Sequence, residues 1–171
     1  MRLSIRPFGD VPSGTLEDLA EDLASLGTVT VLEPAPLRPE WFNPDRGQHR
    51  SEALLDAVEA DPGDRVLGVT AADLYATAAP FNFVFGEARV YDRPAAISLA
   101  RLRSPEPARF RDRVAKEAIH ELGHTLGLDH CENRGCVMVF SNSADDVDGK
   151  TRTFCRRCRA TVDFTAKRLR A

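Results

Sequence analysis

The chain has 171 residues, a formal net charge of −3 and a calculated isoelectric point near 5.8. This length suits one domain with a sizeable core. The slightly acidic balance excludes a nucleic-acid or anionic-lipid surface that extends over the whole protein. No apolar run is long enough for a membrane span, and Arg6 and Asp10 interrupt the N-terminus before a signal-peptide core can form. We therefore expect a soluble, cytoplasmic protein.

The first hundred residues alternate β-rich apolar runs with longer amphipathic runs. This alternation indicates strands and helices interleaved around a sheet, in an α/β or α+β fold. Strands are predicted at 2–7, 28–32, 65–69, 83–90 and 96–102, and helices at 15–26 and 51–60. Four prolines between residues 34 and 44 mark a loop rather than a linker between domains. The sequence thus predicts a single domain over 1–171, with a sheet-containing part (1–127) and a C-terminal part (128–171).

Three phenylalanines, Phe81, Phe83 and Phe85, alternate along the chain before Gly86. Side chains two residues apart point to the same side of a strand, so these rings are expected to pack on one strand face. The following residues, 86–102, are predicted to form a hairpin near the active-site cleft.

The longest helical pattern follows Pro107. Apolar side chains recur at every fourth residue from Phe110 to Leu126, which predicts a stripe that faces the core. With a rotation of about 100° per residue, His120 and His124 project from roughly the opposite side of this helix. They are therefore predicted to face a cavity.

Three of the four histidines lie between residues 120 and 130, in the segment HELGHTLGLDH. Two histidines four residues apart on a helix place their nitrogens side by side, where they can share a tetrahedral zinc ion at bond lengths of about 2 Å. Gly127 permits a left-handed turn that ends the helix. His130 can then return as the third ligand, and Asp129 is the alternative.

Glu121 follows the first histidine directly and is placed beside the metal without being a ligand. A carboxylate there can take a proton from the attacking water and pass it to the leaving amine. The alternative is an ordinary amphipathic helix with surface histidines. We favour the catalytic interpretation because Gly127 and His130 stand at the spacing of the extended motif.

All four cysteines lie in the last quarter of the chain: Cys131, Cys136, Cys155 and Cys158. Four thiolates from two short segments can form a closed tetrahedral zinc site, which is structural because no position is left for water. A redox pair or two disulfides are the alternatives, but the C-x-x-C lacks the strand-to-helix context of a thioredoxin-like site.

Four arginines crowd the second cysteine pair: Arg152, Arg156, Arg157 and Arg159. We interpret them as offsetting the negative charge of a zinc ion with four thiolates, and a nucleic-acid patch is the alternative. Between the cysteine pairs, the aspartates at 145, 146 and 148 predict a solvated turn rather than an EF-hand calcium loop. Residues 158–171 are predicted to form a final helix.

Together, HExxHxxGxxHC at 120–131, CxM at 136–138 and CxxC at 155–158 resemble the signature of the archaemetzincins, which are metzincin-type zinc peptidases. The resemblance implies a mixed sheet before the active-site helix, two zinc ions and peptidase activity. It also implies that Met138 forms a methionine turn beneath the catalytic zinc, although Met138 also suits a plain core position. Phe140 stands where astacin-like metzincins supply a tyrosine ligand.

The sequence therefore predicts a zinc-dependent metallopeptidase with one catalytic and one structural zinc ion. A non-catalytic zinc-binding module, which engages a protein or nucleic acid through its arginine-rich cysteine site, is the rival hypothesis. Glu121 favours the enzyme, because a mere metal site needs no carboxylate at that position. We expect a monomer that acts on peptide or protein substrates, with no nucleic-acid or membrane partner.

Overall fold

A central five-stranded sheet organises the chain. The computed structural model describes residues 1–78 and 80–169. Its strands are β1 (Arg2–Phe8), β2 (Thr28–Val31), β3 (Phe42–Asn43), β4 (Gln48–Arg50), β5 (Arg65–Thr70), β6 (Leu74–Tyr75), β7 (Gly86–Ala88) and β8 (Pro94–Ser98). Its helices are α1 (Ser13–Leu23), α2 (Ser51–Val58), α3 (Pro107–Thr125), α4 (Ala144–Gly149) and α5 (Arg156–Arg168), with a short 3₁₀ helix at Pro39–Trp41.

The central sheet has the order β2-β1-β5-β8-β7. The first four strands in this order are parallel, whereas β7 pairs antiparallel with β8 and forms one edge. A smaller sheet, in the order β3-β4-β6, lies beside it. The mixed α/β class predicted from the sequence is thus confirmed, and so is the hairpin formed by β7 and β8.

The central sheet is covered on both faces, so every residue of the inner strands β5 and β8 is buried. In β5, Leu67 and Val69 pack in the larger core with α1 and α3. Val66 faces the other way and packs in the smaller core with Leu54 of α2. This alternation follows from the two-residue repeat of a strand. It fixes α3 against one face of the sheet, next to β8 and β7.

The C-terminal part packs on the same core as the sheet. Val147 of α4 and Val162 of α5 are buried in the larger cluster, together with side chains of α3. Arg152 donates hydrogen bonds to Asp22 of α1 and to Asp112 of α3, at 2.9 and 2.6 Å. These ion pairs tie the segment before the second cysteine pair to two helices of the sheet-containing part.

The segment predicted as a strand at 83–90 is mostly irregular, and this prediction was wrong. Only β7 belongs to the sheet, and Val84 forms a single bridge with Leu74 of the smaller sheet. The three phenylalanines therefore do not share a strand face. Phe83 and Phe85 contact each other edge to face, whereas Phe81 packs against Phe140 from the C-terminal part.

Other elements differ from the predictions mainly at their ends. Strand β8 begins earlier than predicted and stops at Ser98, after which the chain turns. The aspartates at 145–148 lie in helix α4, which begins with a reciprocal capping box between Ser143 and Asp146, and not in a solvated turn. Helix α5 begins at Arg156, and residues 170–171 of its prediction lie outside the described residues.

None of the helices in the described parts of the chain combines the length and apolar character needed to cross a bilayer.

Candidate metal centres and cleft

The first metal-binding cluster lies where α3 ends. His120 and His124 occupy its last two turns, on the side that faces a cavity of about 580 Å³. Gly127, at φ +92°, reverses the chain, and its N–H donates to the carbonyl oxygen of His124 at 2.9 Å. A side chain at Gly127 would be strained, and its Cβ would lie 2.0 Å from the ring of Tyr91. The turn brings His130 back to the two helical histidines.

The backbone fixes which nitrogen each helical histidine presents. His120 Nδ1 lies 2.9 Å from the carbonyl oxygen of Val137, and His124 Nδ1 lies 2.6 Å from that of Leu128. Because a carbonyl oxygen can only accept, both Nδ1 atoms carry the proton. The Nε2 atoms are then unprotonated, yet they lie only 3.1 Å apart. Two lone pairs at this distance repel each other, and a metal cation bound by both nitrogens would relieve that repulsion.

Zinc fits this cluster. Bonds of about 2.0–2.1 Å in a tetrahedron separate neighbouring ligand nitrogens by roughly 3.3 Å, close to the distance observed. The nearest ring nitrogens of the three histidines all lie within 4.8 Å of one another, and Asp129 is not part of this cluster. Burial lowers the pKa of all three imidazoles. This favours the neutral form that binds metals.

Glu121 projects into the same cavity but is not part of the histidine cluster. Its side chain packs against the edge strand, where a Cβ on Gly86 would lie 2.6 Å from its Cγ and 2.8 Å from its Oε1. Burial, and then the negative charge of Glu117, hold the pKa of Glu121 well above its usual range. A carboxylate with a raised pKa is a stronger proton acceptor, and a nearby divalent cation counteracts the shift.

Met138 lies beneath the helix that carries the two histidines and is fully buried. A Cβ on Gly123 would lie 2.4 Å from its Sδ, so the methionine occupies the space that this glycine leaves. Nearby, the rings of Phe140 and His130 lie 4.9 Å apart, and Phe140 also contacts Phe81 from the opposite part of the chain. These rings form an apolar wall of the cavity beside His130.

The second cluster comprises the four cysteines, which are all free thiols. Their sulfur atoms lie within 4.8 Å of one another, and the Sγ atoms of Cys131 and Cys155 are 3.9 Å apart. A tetrahedron with bonds of about 2.3 Å separates neighbouring sulfurs by roughly 3.8 Å, so the cluster has the dimensions of a zinc–thiolate site. A hydrogen bond from the backbone of Cys158 is the main cause that lowers the pKa of Cys155 to about 7.

The arginines near the second cysteine pair differ in the groups that they contact. Arg157 Nη2 lies 3.8 Å from Cys131 Sγ. Arg152 is paired with Asp22 and Asp112, and Arg159 with Asp163. Arg152 and Arg159 thus contact carboxylates, and their predicted role in offsetting the thiolates stays a prediction.

Two residues beneath the histidine cluster were missed from the sequence. Glu117 lines the cavity one helical turn before Glu121, and a spacing of four residues on α3 could have revealed it. Lys150 lies 2.8 Å from Glu117 and comes from the end of α4. No local pattern indicates this contact, because the two residues are far apart in the sequence.

A mixed sheet, followed by a helix that carries two histidines and a glutamate beside a third histidine, defines the class of zinc-dependent metallopeptidases. The model of peptidase family M54 matches residues 40–163. The chain belongs to this family, the archaemetzincins. Since this is a family of peptidases, the chain is a zinc metallopeptidase, and the hypothesis of a non-catalytic binding module is set aside.

Individual relatives match along almost the whole chain. The archaemetzincin of Methanopyrus kandleri is 45% identical, with 98% of this chain and 99% of the relative covered. Its crystal structure superposes with a TM-score of 0.89, at 42% identity over 98% of this chain and 96% of that one. The archaemetzincin of Archaeoglobus fulgidus, crystallised with malonate, gives a TM-score of 0.86 at 42% identity, over 94% and 99% of the two chains.

We predict that Gly86→Ala leaves the protein folded and zinc-loaded but lowers its peptidase rate by about 10²-fold, since a 1 Å misplacement of a reacting group has this effect. The new Cβ would lie 2.6 Å from Glu121 Cγ and 2.7 Å from the carbonyl oxygen of Ala96, so both the Glu121 side chain and the pairing of β7 with β8 must shift. Peptide cleavage and elemental analysis of zinc provide the measurement. Gly14→Ala is the matched control, because a Cβ there meets no atom within 4 Å. An unchanged rate in Gly86→Ala would show that the position of Glu121 is unimportant.

Proposed function

We propose that the protein hydrolyses peptide bonds with a catalytic zinc ion held by His120, His124 and His130, and with Glu121 as the general base. The observation that carries this proposal is that the Nε2 atoms of His120 and His124 lie 3.1 Å apart, in a cavity that a buried carboxylate also lines. A zinc ion bound there supplies a Lewis acid that polarises the scissile carbonyl and lowers the pKa of water.

The other groups of this site move protons, orient the imidazoles and contact the substrate. Glu121 takes a proton from the attacking water and later delivers it to the amine that leaves, so one carboxylate serves as base and then as acid. The carbonyl oxygens of Val137 and Leu128 keep the helical imidazoles in the tautomer that leaves Nε2 free. Phe140, next to His130, has no hydroxyl and contributes only an apolar surface for the substrate.

We infer a second, structural zinc ion in the cysteine cluster, which gives two ions per chain. Cys131, Cys136, Cys155 and Cys158 supply four sulfurs at tetrahedral spacing and leave no position for water. We prefer this interpretation to the redox and disulfide alternatives, because the four cysteines are free and their sulfur atoms lie within 4.8 Å of one another.

We further infer a single domain that acts as a monomer in the cytoplasm on peptides. All candidate metal ligands and the general base come from one chain, so the site is complete without a second copy. Side chains of residues 1–127 and 128–171 share one core. Free thiols suit a reducing compartment, and the net charge of −3 argues against nucleic-acid and membrane partners.

Glu121→Gln should lower the peptidase rate by about 10²–10⁴-fold, the usual contribution of a general base. Both zinc ions should remain, because the variant removes no ligand. The measurement is cleavage of a diverse peptide library, with products identified by mass spectrometry and zinc by elemental analysis. Glu132→Gln, at an exposed carboxylate just beyond the site, is the control. Glu121 is not the base if its variant cleaves peptides as fast as the parent.

His130→Ala should leave a folded protein whose histidine site binds zinc weakly and has negligible activity. Two imidazoles remain, and the third position of the tetrahedron is lost. Zinc affinity by competition with a chelator, circular dichroism and peptide cleavage test this expectation. His49→Ala removes the one histidine outside the cluster and should behave like the parent. Parental zinc content and rate in His130→Ala would point to another ligand, such as Asp129.

The two zinc ions should leave in a fixed order. Mild chelation should remove the accessible catalytic ion first and abolish activity with little change in circular dichroism, and added zinc should restore activity. Harsher chelation, or Cys155→Ser, should unfold the C-terminal part, because structural zinc contributes on the order of 10 kcal/mol to folding. The zinc content measured by elemental analysis should fall from about two ions per chain to about one. A zinc content of one ion per chain at every stage, together with four reactive thiols, would show that the cysteine cluster binds no zinc.

A further inference from the structure

Lys150 is almost completely enclosed beneath the histidine cluster, with 1% of its side chain exposed. Its ammonium lies 2.8 Å from Glu117 Oε1 and 3.2 Å from the carbonyl oxygen of Val139. It also lies 3.4 Å from His120 Nδ1, but that nitrogen already donates to Val137, so the contact is not a hydrogen bond. Removing an ammonium from water costs several kcal/mol unless its partners are well placed.

Glu117 is equally enclosed, with 4% of its side chain exposed. It stands one helical turn before Glu121 on the same side of α3, and both line the cavity. Two carboxylates at this spacing repel each other. Lys150 supplies the compensating positive charge, 2.8 Å from Glu117 Oε1.

The pair also connects two segments that define the metal site. Glu117 belongs to α3, which carries His120. Val139 follows Met138 in the segment whose Val137 carbonyl oxygen orients His120. Lys150 forms an ion pair with Glu117 and donates a hydrogen bond to the carbonyl oxygen of Val139, and so holds the segment that orients the imidazole against the helix that carries it.

Helix α4 presents Lys150 at this place. Ser143 and Asp146 cap its start reciprocally, and Val147 is fully buried. Asp148 accepts two hydrogen bonds from Arg113 of α3, at 2.6 and 2.7 Å. Lys150 is the next residue after this docked helix. The contacts of α4 therefore fix the backbone position from which the Lys150 side chain reaches Glu117.

We propose that Lys150 and Glu117 are positioning residues of the histidine zinc site, which together hold the segment around Met138 against α3 and keep His120 and Glu121 in register. This inference rests on the proposed function, in which those two residues bind zinc and move protons. Neither Lys150 nor Glu117 needs to touch the substrate.

The test compares Lys150→Met and Glu117→Gln with the double variant. Each single change leaves a buried charge without its partner, so the melting temperature should fall. The double variant carries no unpaired charge there and should regain the thermal stability of the parent. It still lacks the hydrogen bond to Val139, so its histidine site should remain impaired.

We expect the double variant to bind zinc at the histidine site about 10–100-fold more weakly, or to lose kcat by a similar factor with little change in KM, as is typical for partners of metal ligands. The zinc affinity of the histidine site is measured by competition with a chelator, as the affinity of the ion that is removed first. Lys116→Met is the matched control, because Lys116 is also a buried lysine that pairs with a carboxylate and contacts Asp148 of α4. Its ammonium contacts Asp112 and the carbonyl oxygen of Asp148, and it does not line the histidine cavity in the described part of the chain, so only stability should fall.

A double variant with parental zinc affinity and kcat would overturn the proposal and reduce the pair to a structural ion pair. An equal loss of affinity in Lys116→Met would overturn it too, since any weakening of α4 would then suffice. If the parent failed to cleave peptides, the proposed catalytic function would be wrong. The zinc affinities would still test whether Lys150 and Glu117 position the histidine site.

Discussion

The three residues from Cys136 to Met138 impose the constraint on which both candidate metal centres depend. Cys136 supplies a sulfur to the thiol cluster, the Val137 carbonyl oxygen orients His120, and Met138 fills the space beneath α3. Two backbone hydrogen bonds hold the segment itself, because the Met138 carbonyl oxygen accepts from the N–H of Cys131 and the N–H of Val137 donates to the carbonyl oxygen of Thr153. A shift of this backbone therefore disturbs both centres together.

The chemistry of the site could be predicted from the sequence because it is local. The spacing from His120 to His130 places three imidazoles and a carboxylate around one point through helical geometry and a single glycine turn. The four cysteines were equally evident, because thiols grouped in the last quarter of a reduced protein have few other uses. In both clusters, the residues that were named are the ones that the structure brings together.

The supporting contacts could not be predicted, because they join distant segments. Lys150 reaches Glu117 only after α4 has docked through Arg113 and Asp148, and no spacing in the sequence encodes that contact. The failed strand at 83–90 has a similar cause. Its apolar alternation is real, but the rings of Phe81 and Phe140 meet across the cavity and not on a sheet. Tertiary packing overrode a local pattern.

His130 and Cys131 are neighbours in the chain, yet one belongs to the histidine cluster and the other to the thiol cluster. A single peptide bond therefore joins the two clusters. Under the proposed function, an ion among the thiols would restrict the backbone at Cys131 and so reduce the conformational entropy that His130 loses on becoming a ligand. By thermodynamic reciprocity, an ion among the histidines would then tighten binding at the thiols by the same free energy. Adjacent residues would thus couple the two proposed sites, although the two clusters share no residue.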